Sequence, residues 1–318
     1  MTLPYEAVEP RRTLEVQSAD GTRIHVEEFG RADGTTVVLS HGWTCSILFW
    51  APVVRLLSPD FRVVAYDQRG HGRSAAPAGR RGYGTGVLAD DLQAVLEAVV
   101  PAGGRAVLAG HSMGGMTIMA ASGREQVARR TAAVLLANTG SARLLGSTEV
   151  LPKRLSVRWL RRALHRQLLV SPLPLGPVTP LTRAAFAYGV LGASPTREQA
   201  AFTARIVHAC RARRRAAWGR VLAVLDLDAE LAALTAPTAV LAGTHDKLTP
   251  PVHARGIARA LPHCVGLTEL PGAGHMTPIE DPEAVAAAIR SLAADHAGPA
   301  AGGAESGKSD AVAEEKSA

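Results

Sequence analysis

Short apolar runs recur along the chain at residues 36–39, 62–66, 106–109, 132–137, 238–242 and 265–270. Each is too short for a typical helix and rich in Val, Leu and Ala, which predicts buried β-strands. The stretches between several of them carry apolar residues at helical spacing. One helix is predicted over 47–57. A second, over 87–99, places Leu88, Leu92, Val95, Leu96 and Val99 on one face. Near the start, runs at 14–16 and 24–26 flank Asp20-Gly21, a hairpin signal. Strands alternating with helices predict an α/β fold: a mostly parallel central sheet covered on both faces. No internal repeat interrupts the pattern.

The run at 106–109 leads into Gly110-His111-Ser112-Met113-Gly114-Gly115, and a helix-forming run follows from Met116 to Ala121. A strand, a sharp turn and a helix with serine at the apex suit a nucleophile elbow, because the turn lifts the hydroxyl clear of the sheet and the small flanking residues let strand and helix cross. A serine hydroxyl is a weak nucleophile unless a base adjoins it. The expected partners, an acid and then a histidine, follow the serine in chain order. The predicted strand at 238–242 runs into Gly243-Thr244-His245-Asp246, and that at 265–270 into Gly274-His275-Met276. Taken singly, Asp246 reads equally as a turn or helix cap and His275 as a solvated loop residue. Their order and their places at strand ends predict Ser112 as nucleophile, His275 as general base and acid, and Asp246 as the group orienting the imidazole. The backbone N–H of Met113, at the head of the helix, is one expected oxyanion donor. A second is the N–H of Trp43, in the turn His41-Gly42-Trp43 that ends the run at 36–39. His41 reads as a structural turn residue and His111 as a packing residue.

These segments, together with Asp67-Gln68-Arg69-Gly70-His71-Gly72-Arg73-Ser74, make the chain resemble the α/β-hydrolase family over nearly its whole length. The resemblance implies that family's fold, with a helical cap inserted after the sixth strand, and its triad chemistry; it implies no substrate. His-Gly-Trp followed by Phe49-Trp50 is similar to small esterases that also act as metal-free perhydrolases or haloperoxidases. Epoxide hydrolases and haloalkane dehalogenases of this fold carry aspartate at the elbow. Serine there makes an acyl-enzyme the expected intermediate. The organisation expected is a hydrolase core at 1–140 and 236–297, a cap at 141–235, whose helical stretches are broken by Pro172, Pro174, Pro177 and Pro180, and a disordered tail at 298–318, rich in Ala, Gly, Ser, Glu and Lys.

Composition narrows the classes. The chain has 318 residues, 47% of them hydrophobic, enough for one large core. No secretory signal is visible at the amino terminus, and no apolar run reaches membrane-spanning length without charge or proline. Cys45, Cys210 and Cys264 are odd in number and scattered, which argues against a disulfide framework and for the cytoplasm. No Cys or His pair has zinc spacing and no Gly-rich segment has the Lys and Ser/Thr of a phosphate loop, so neither metal nor cofactor is expected.

The region 141–225 carries fifteen basic residues against Glu149 and Glu198, on a chain of net charge +7. Such a field suits solvated arginine faces, an acidic substrate, an acidic acyl-carrier partner or an anionic membrane surface. Nucleic acid is not expected, because Trp159, Phe186, Tyr188, Phe202 and Trp218 are spaced like cap core residues and not like a stacking platform. Trp43, Trp159, Phe186, Tyr188 and Met276 are the candidate pocket walls. The activity predicted is a serine esterase acting on a small or medium-sized apolar ester. The alternatives are a thioesterase or acyl transferase on carrier-bound chains, a perhydrolase or haloperoxidase, a carbon–carbon bond hydrolase, or a ligand-binding receptor on the same fold.

Overall fold

The computed structural model describes residues 5–150 and 158–297. The expected tail and part of the expected cap, residues 151–157, lie outside the described residues. Eight strands, β1 (Arg12–Gln17), β2 (Arg23–Gly30), β3 (Thr36–Ser40), β4 (Arg62–Tyr66), β5 (Ala106–His111), β6 (Thr131–Ala137), β7 (Thr238–Gly243) and β8 (Cys264–Leu270), form one sheet in the order β1-β2-β4-β3-β5-β6-β7-β8. The hairpin predicted around Asp20-Gly21 is the antiparallel pair β1–β2, and β2 pairs antiparallel with β4. Every other pairing is parallel. All carboxyl ends from β3 to β8 therefore open on one edge, where an open parallel sheet places its ligands.

The helices are α1 (Ala51–Leu57), α2 (Thr85–Val99), α3 (Met113–Ala121), α4 (Glu125–Arg130), α5 (Leu144–Ser147), α6 (Arg158–Val170), α7 (Pro180–Val190), α8 (Arg197–Ala209), α9 (Ala212–Leu222), α10 (Asp228–Ala232), α11 (Pro251–Ala260), α12 (Thr277–Glu280) and α13 (Pro282–His296). The predicted stripe of α2 is buried, and it packs with α3 and α11 on one face of the sheet. The other face is covered by α1 and α13 through residues such as Val53, Leu57, Ile289 and Leu292. The helix predicted over 47–57 begins as a 3-10 turn at Ile47–Trp50 and becomes α-helical from Ala51, with Pro52 in its first turn, where the missing N–H costs nothing. The strand expected at 265–270 forms as β8 but is an edge, paired only with β7, and Val265 and Leu267 stand exposed.

Between β6 and β7 the chain makes a helical insertion. Pro172, Pro174 and Pro177 fall in the link between α6 and α7, and Pro180 is the first residue of α7. The insertion shares the core beneath it: Trp218 of α9 is wholly buried, stacks against His71, meets Tyr83 edge to face, and donates its indole N–H to the Arg69 carbonyl at 3.0 Å. Phe202 of α8 packs on Tyr5 at 4.8 Å between ring centres. Among the described residues no helix is long and apolar enough to cross a membrane.

Candidate active site

The turn between β5 and α3 holds Ser112 at φ 52° and ψ −116°, a left-handed conformation that costs a non-glycine residue strain. The surroundings enforce it. The Ser112 N–H donates to the Ala137 carbonyl at 3.0 Å, and the Ser112 carbonyl accepts from the Thr139 hydroxyl at 2.8 Å. A Cβ on Gly110 would sit 2.6 Å from the Gly115 nitrogen, and one on Gly114 would overlap the Ser40 carbonyl oxygen. These two glycines let β3, β5 and α3 converge under the serine. Gly114→Ala is expected to cost about 1–3 kcal/mol or more, because backbone is what must move. Thermal denaturation checks this; an unchanged melting temperature would show that the crossing tolerates a methyl group.

His275 follows β8 and Asp246 follows β7. The His275 Nε2 lies 3.0 Å from Ser112 Oγ, and its Nδ1 lies 2.8 Å from Asp246 Oδ2. Asp246 is buried and accepts at Oδ1 from the backbone N–H groups of Leu248 and Thr249, both at 2.9 Å. Its Oδ2 also accepts from the Asn138 side-chain amide at 3.1 Å. Burial pushes the Asp246 carboxyl up, but His275 and these hydrogen bonds outweigh burial and hold it below the ordinary carboxylate range. An ionised Asp246 accepts a hydrogen bond from the Nδ1–H, which leaves the Nε2 lone pair facing the serine hydroxyl. The arrangement can take a proton from Ser112 and return it to a leaving group.

Several supporting groups had no distinctive sequence signal. Asn138 follows β6 in a left-handed conformation, φ 47°, and its amide bridges Asp246 to the Gly274 carbonyl at 3.0 Å. Asn138-Thr139-Gly140 is visible in sequence only as a turn cluster. Glu280 brackets His275, accepting from the N–H groups of Gly274 at 3.0 Å and Met276 at 2.9 Å, and from that of Gly192 in the insertion at 2.7 Å. His71 accepts from the Thr44 N–H at 3.2 Å, which holds the turn after β3.

His41 is buried between the Gly42 carbonyl, at 2.7 Å, and the Gln68 N–H, at 3.0 Å. His111 donates from Nε2 to the His275 carbonyl at 2.7 Å. A Cβ on Gly42 would fall 3.2 Å from the Ser112 Cβ, so the turn leading to Trp43 lies against the serine. Met113 heads α3, and its N–H has no partner within the helix.

Above the serine lies a cavity of about 340 Å³, with Ser112, His275, Trp43, Phe186 and Met276 in its walls. Leu144 and Leu145 of α5, Leu168 and Leu169 of α6 and Leu175 of the link after it add apolar wall. Trp159 and Tyr188 are not among the lining residues. Trp159 projects from α6 at 71% exposure, while Leu168 and Leu169 of the same helix face the cavity. Tyr188 is 53% exposed under the Lys247 ammonium, 3.6 Å from its ring centre. Two residues along a helix point about 200° apart, so Phe186 facing inward turns Tyr188 outward. Among the described residues no group of three or more His, Cys, Asp or Glu side chains could hold a metal ion.

A family model described as the alpha/beta hydrolase family matches residues 37–288. The chain is 33% identical over 258 residues to a protein of Variovorax paradoxus (strain S110) whose name makes it a candidate carbamate hydrolase, RutD, covering 79% of this chain and 89% of that one. A non-heme chloroperoxidase of Burkholderia pyrrocinia is 29% identical over 244 residues, 74% of this chain and 83% of that one. Among solved structures, the esterase RhEst1 from Rhodococcus sp. ECU1013 superposes with a TM-score of 0.71 at 24% identity, over 89% of this chain and 99% of that one. With the eight-stranded sheet and the serine turn already in place, the match over most of the chain shows that this protein belongs to the α/β-hydrolase family.

Proposed function

We propose that this hydrolase cleaves carboxylic esters of small or medium-sized, largely apolar substrates through an acyl-enzyme on Ser112. The observation that carries the reading is the hydrogen-bonded line from Ser112 through His275 to a buried Asp246, set in the wall of an apolar cavity. His275 takes the serine proton as Oγ attacks the ester carbonyl, and the N–H groups of Met113 and Trp43 hold the oxyanion. The tetrahedral intermediate collapses, His275 protonates the departing alcohol, and the acyl group stays on Oγ. Water, deprotonated by His275, then attacks the acyl carbon and regenerates the serine. Asp246 keeps the imidazole in the right tautomer and stabilises its cation.

Helices α6 to α9 act in this reading as a cap that keeps bulk water from the acyl-enzyme. The free thiols of Cys45, Cys210 and Cys264 suit a reducing cytoplasm. A second reading has support in the relatives: one is named a non-heme chloroperoxidase, and another, from Acinetobacter calcoaceticus, a bifunctional esterase/perhydrolase, 40% identical over 101 residues, 31% of this chain and 35% of that one. Hydrogen peroxide attacking the same acyl-enzyme in place of water would release a peracid.

The test is a series of p-nitrophenyl esters of increasing acyl length, run with and without peroxide, with a fluorophosphonate adduct located by mass spectrometry. Turnover of the shorter esters and an adduct on Ser112 are expected. An adduct on another serine, or none together with no turnover, would overturn the assignment.

A further inference from the structure

Arg215 of α9 is a buried cation in the cavity wall with no anion beside it among the described residues. The residue is 5% exposed and shares the cavity lining with Ser112 and His275. Its Nη2 donates to the carbonyls of Leu173, at 2.5 Å, and Ser171, at 3.3 Å. Those are its side chain's only hydrogen bonds among the described residues, and no Asp or Glu there forms an ion pair with it. Two neutral carbonyls occupy one arm of a fork that carries five N–H donors.

The neighbouring thiol does not supply the missing charge. Burial pushes Cys210 up to about 11, so it stays protonated at neutral pH. Among the described residues no aspartate or glutamate lines the cavity. The same desolvation lowers the Arg215 pKa below its ordinary value, while arginine remains charged in proteins. An unpaired cation taken out of water is costly unless an anion completes it. In position, the Arg215 carbonyl accepts the Trp43 indole N–H at 3.0 Å, which ties this turn of α9 to the loop beside the serine.

We propose that Arg215 is a substrate-recognition residue that binds an anionic group, a carboxylate, carried by the ester whose carbonyl is presented to Ser112. This rests on the esterase reading and narrows its substrate class to amphiphilic esters: an apolar body that fills the leucine-rich cavity and one acidic end that pairs with the guanidinium. A planar carboxylate matches the free N–H groups of the fork. Arg211 and Arg213, close by in the sequence, are exposed and screened, and neither lines the cavity.

The test compares esters matched except for charge, with kcat/KM measured for each. Mono-p-nitrophenyl glutarate against p-nitrophenyl butyrate places the carboxylate on the acyl side; 4-acetoxybenzoate against phenyl acetate places it on the alcohol side. Wild-type protein is expected to favour the charged member of one pair. In Arg215→Met the charged-to-neutral ratio of kcat/KM is expected to fall about tenfold to a hundredfold, the usual worth of a hydrogen bond to a charged group. The ratio cancels any general loss from freeing the Ser171 and Leu173 carbonyls. Arg215→Lys, which keeps the charge but not the fork, should restore only part of the ratio.

A ratio that Arg215→Met leaves unchanged in both pairs would overturn the proposal, as would a wild-type enzyme that favours the neutral member of both. Either result leaves turnover of the neutral esters intact and so is distinct from failure of the esterase reading, which would abolish turnover of all four.

Discussion

Ser112→Ala is expected to lower kcat on p-nitrophenyl butyrate by on the order of 10⁶-fold, the scale seen when the nucleophile of such a catalytic unit is removed. The reasoning is geometric. Among the described residues Ser112 Oγ is the one hydroxyl placed against the His275 Nε2, at 3.0 Å, and the contacts that enforce its φ of 52° hold it there. Without it, the proposed oxyanion donors and the cavity are expected still to bind ester, but no acyl-enzyme to form. KM should change far less than kcat, because the cavity wall loses a single oxygen atom. The same variant should lose labelling by a fluorophosphonate. A variant that keeps more than a small fraction of activity, or still labels, would mean that another residue attacks the substrate.

Loss of stability in mild acid is the second large effect expected. His41, His71 and His111 are wholly buried and neutral, each bonded to backbone on one or both ring nitrogens. Desolvation, aided at His71 by His41 and at His111 by His275, lowers their pKa values from 6.5 to about 4, about 3 and about 3. The unfolded chain binds a proton at each of them below pH 6.5, while the native chain binds none until it nears pH 4. Acid therefore favours the unfolded state, and stability should fall as pH drops from 6.5 toward 4. Each histidine contributes about 1.4 kcal/mol per pH unit, so the three together give a slope of about 4 kcal/mol per unit near pH 5.

Asp246 acts in the same direction but lower. Its depressed pKa stabilises the native state above the unfolded value of 3.8, and that stability is lost only as pH falls through the folded value. Urea denaturation at pH 7.5, 6 and 5 checks the expectation. A midpoint that stays constant from pH 7 to 5 would show that these rings are protonated or solvated in the native protein.

Much of the architecture is legible along the chain because it depends on local periodicity. Apolar runs at 62–66 and 132–137 can bury themselves only as strands inside a covered sheet, and the stripe from Leu88 to Val99 can face it only as a helix. The serine turn is legible for a related reason: Gly110 and Gly114 occupy positions where a Cβ would strike backbone. Asp246 and His275 can be selected because the order of strands constrains which loops share the open edge.

The sequence by itself determined the strands, the main helices, the serine turn and which loops could bring an acid and a histidine toward it, since each of these follows from periodicity, turn chemistry or chain order. Tertiary structure alone decided what depends on helical phase and on contacts between segments far apart. Trp159 and Tyr188 turn outward while Phe186 turns inward, and spacing cannot reveal which side of a helix meets the cavity. Glu280 reaches Gly192 across 88 positions, and Asn138 reaches Asp246 across 108. Arg215 is one arginine in a run of three until packing buries it without a counter-ion among the described residues, because burial and pairing are properties of the assembled core and not of the residue type.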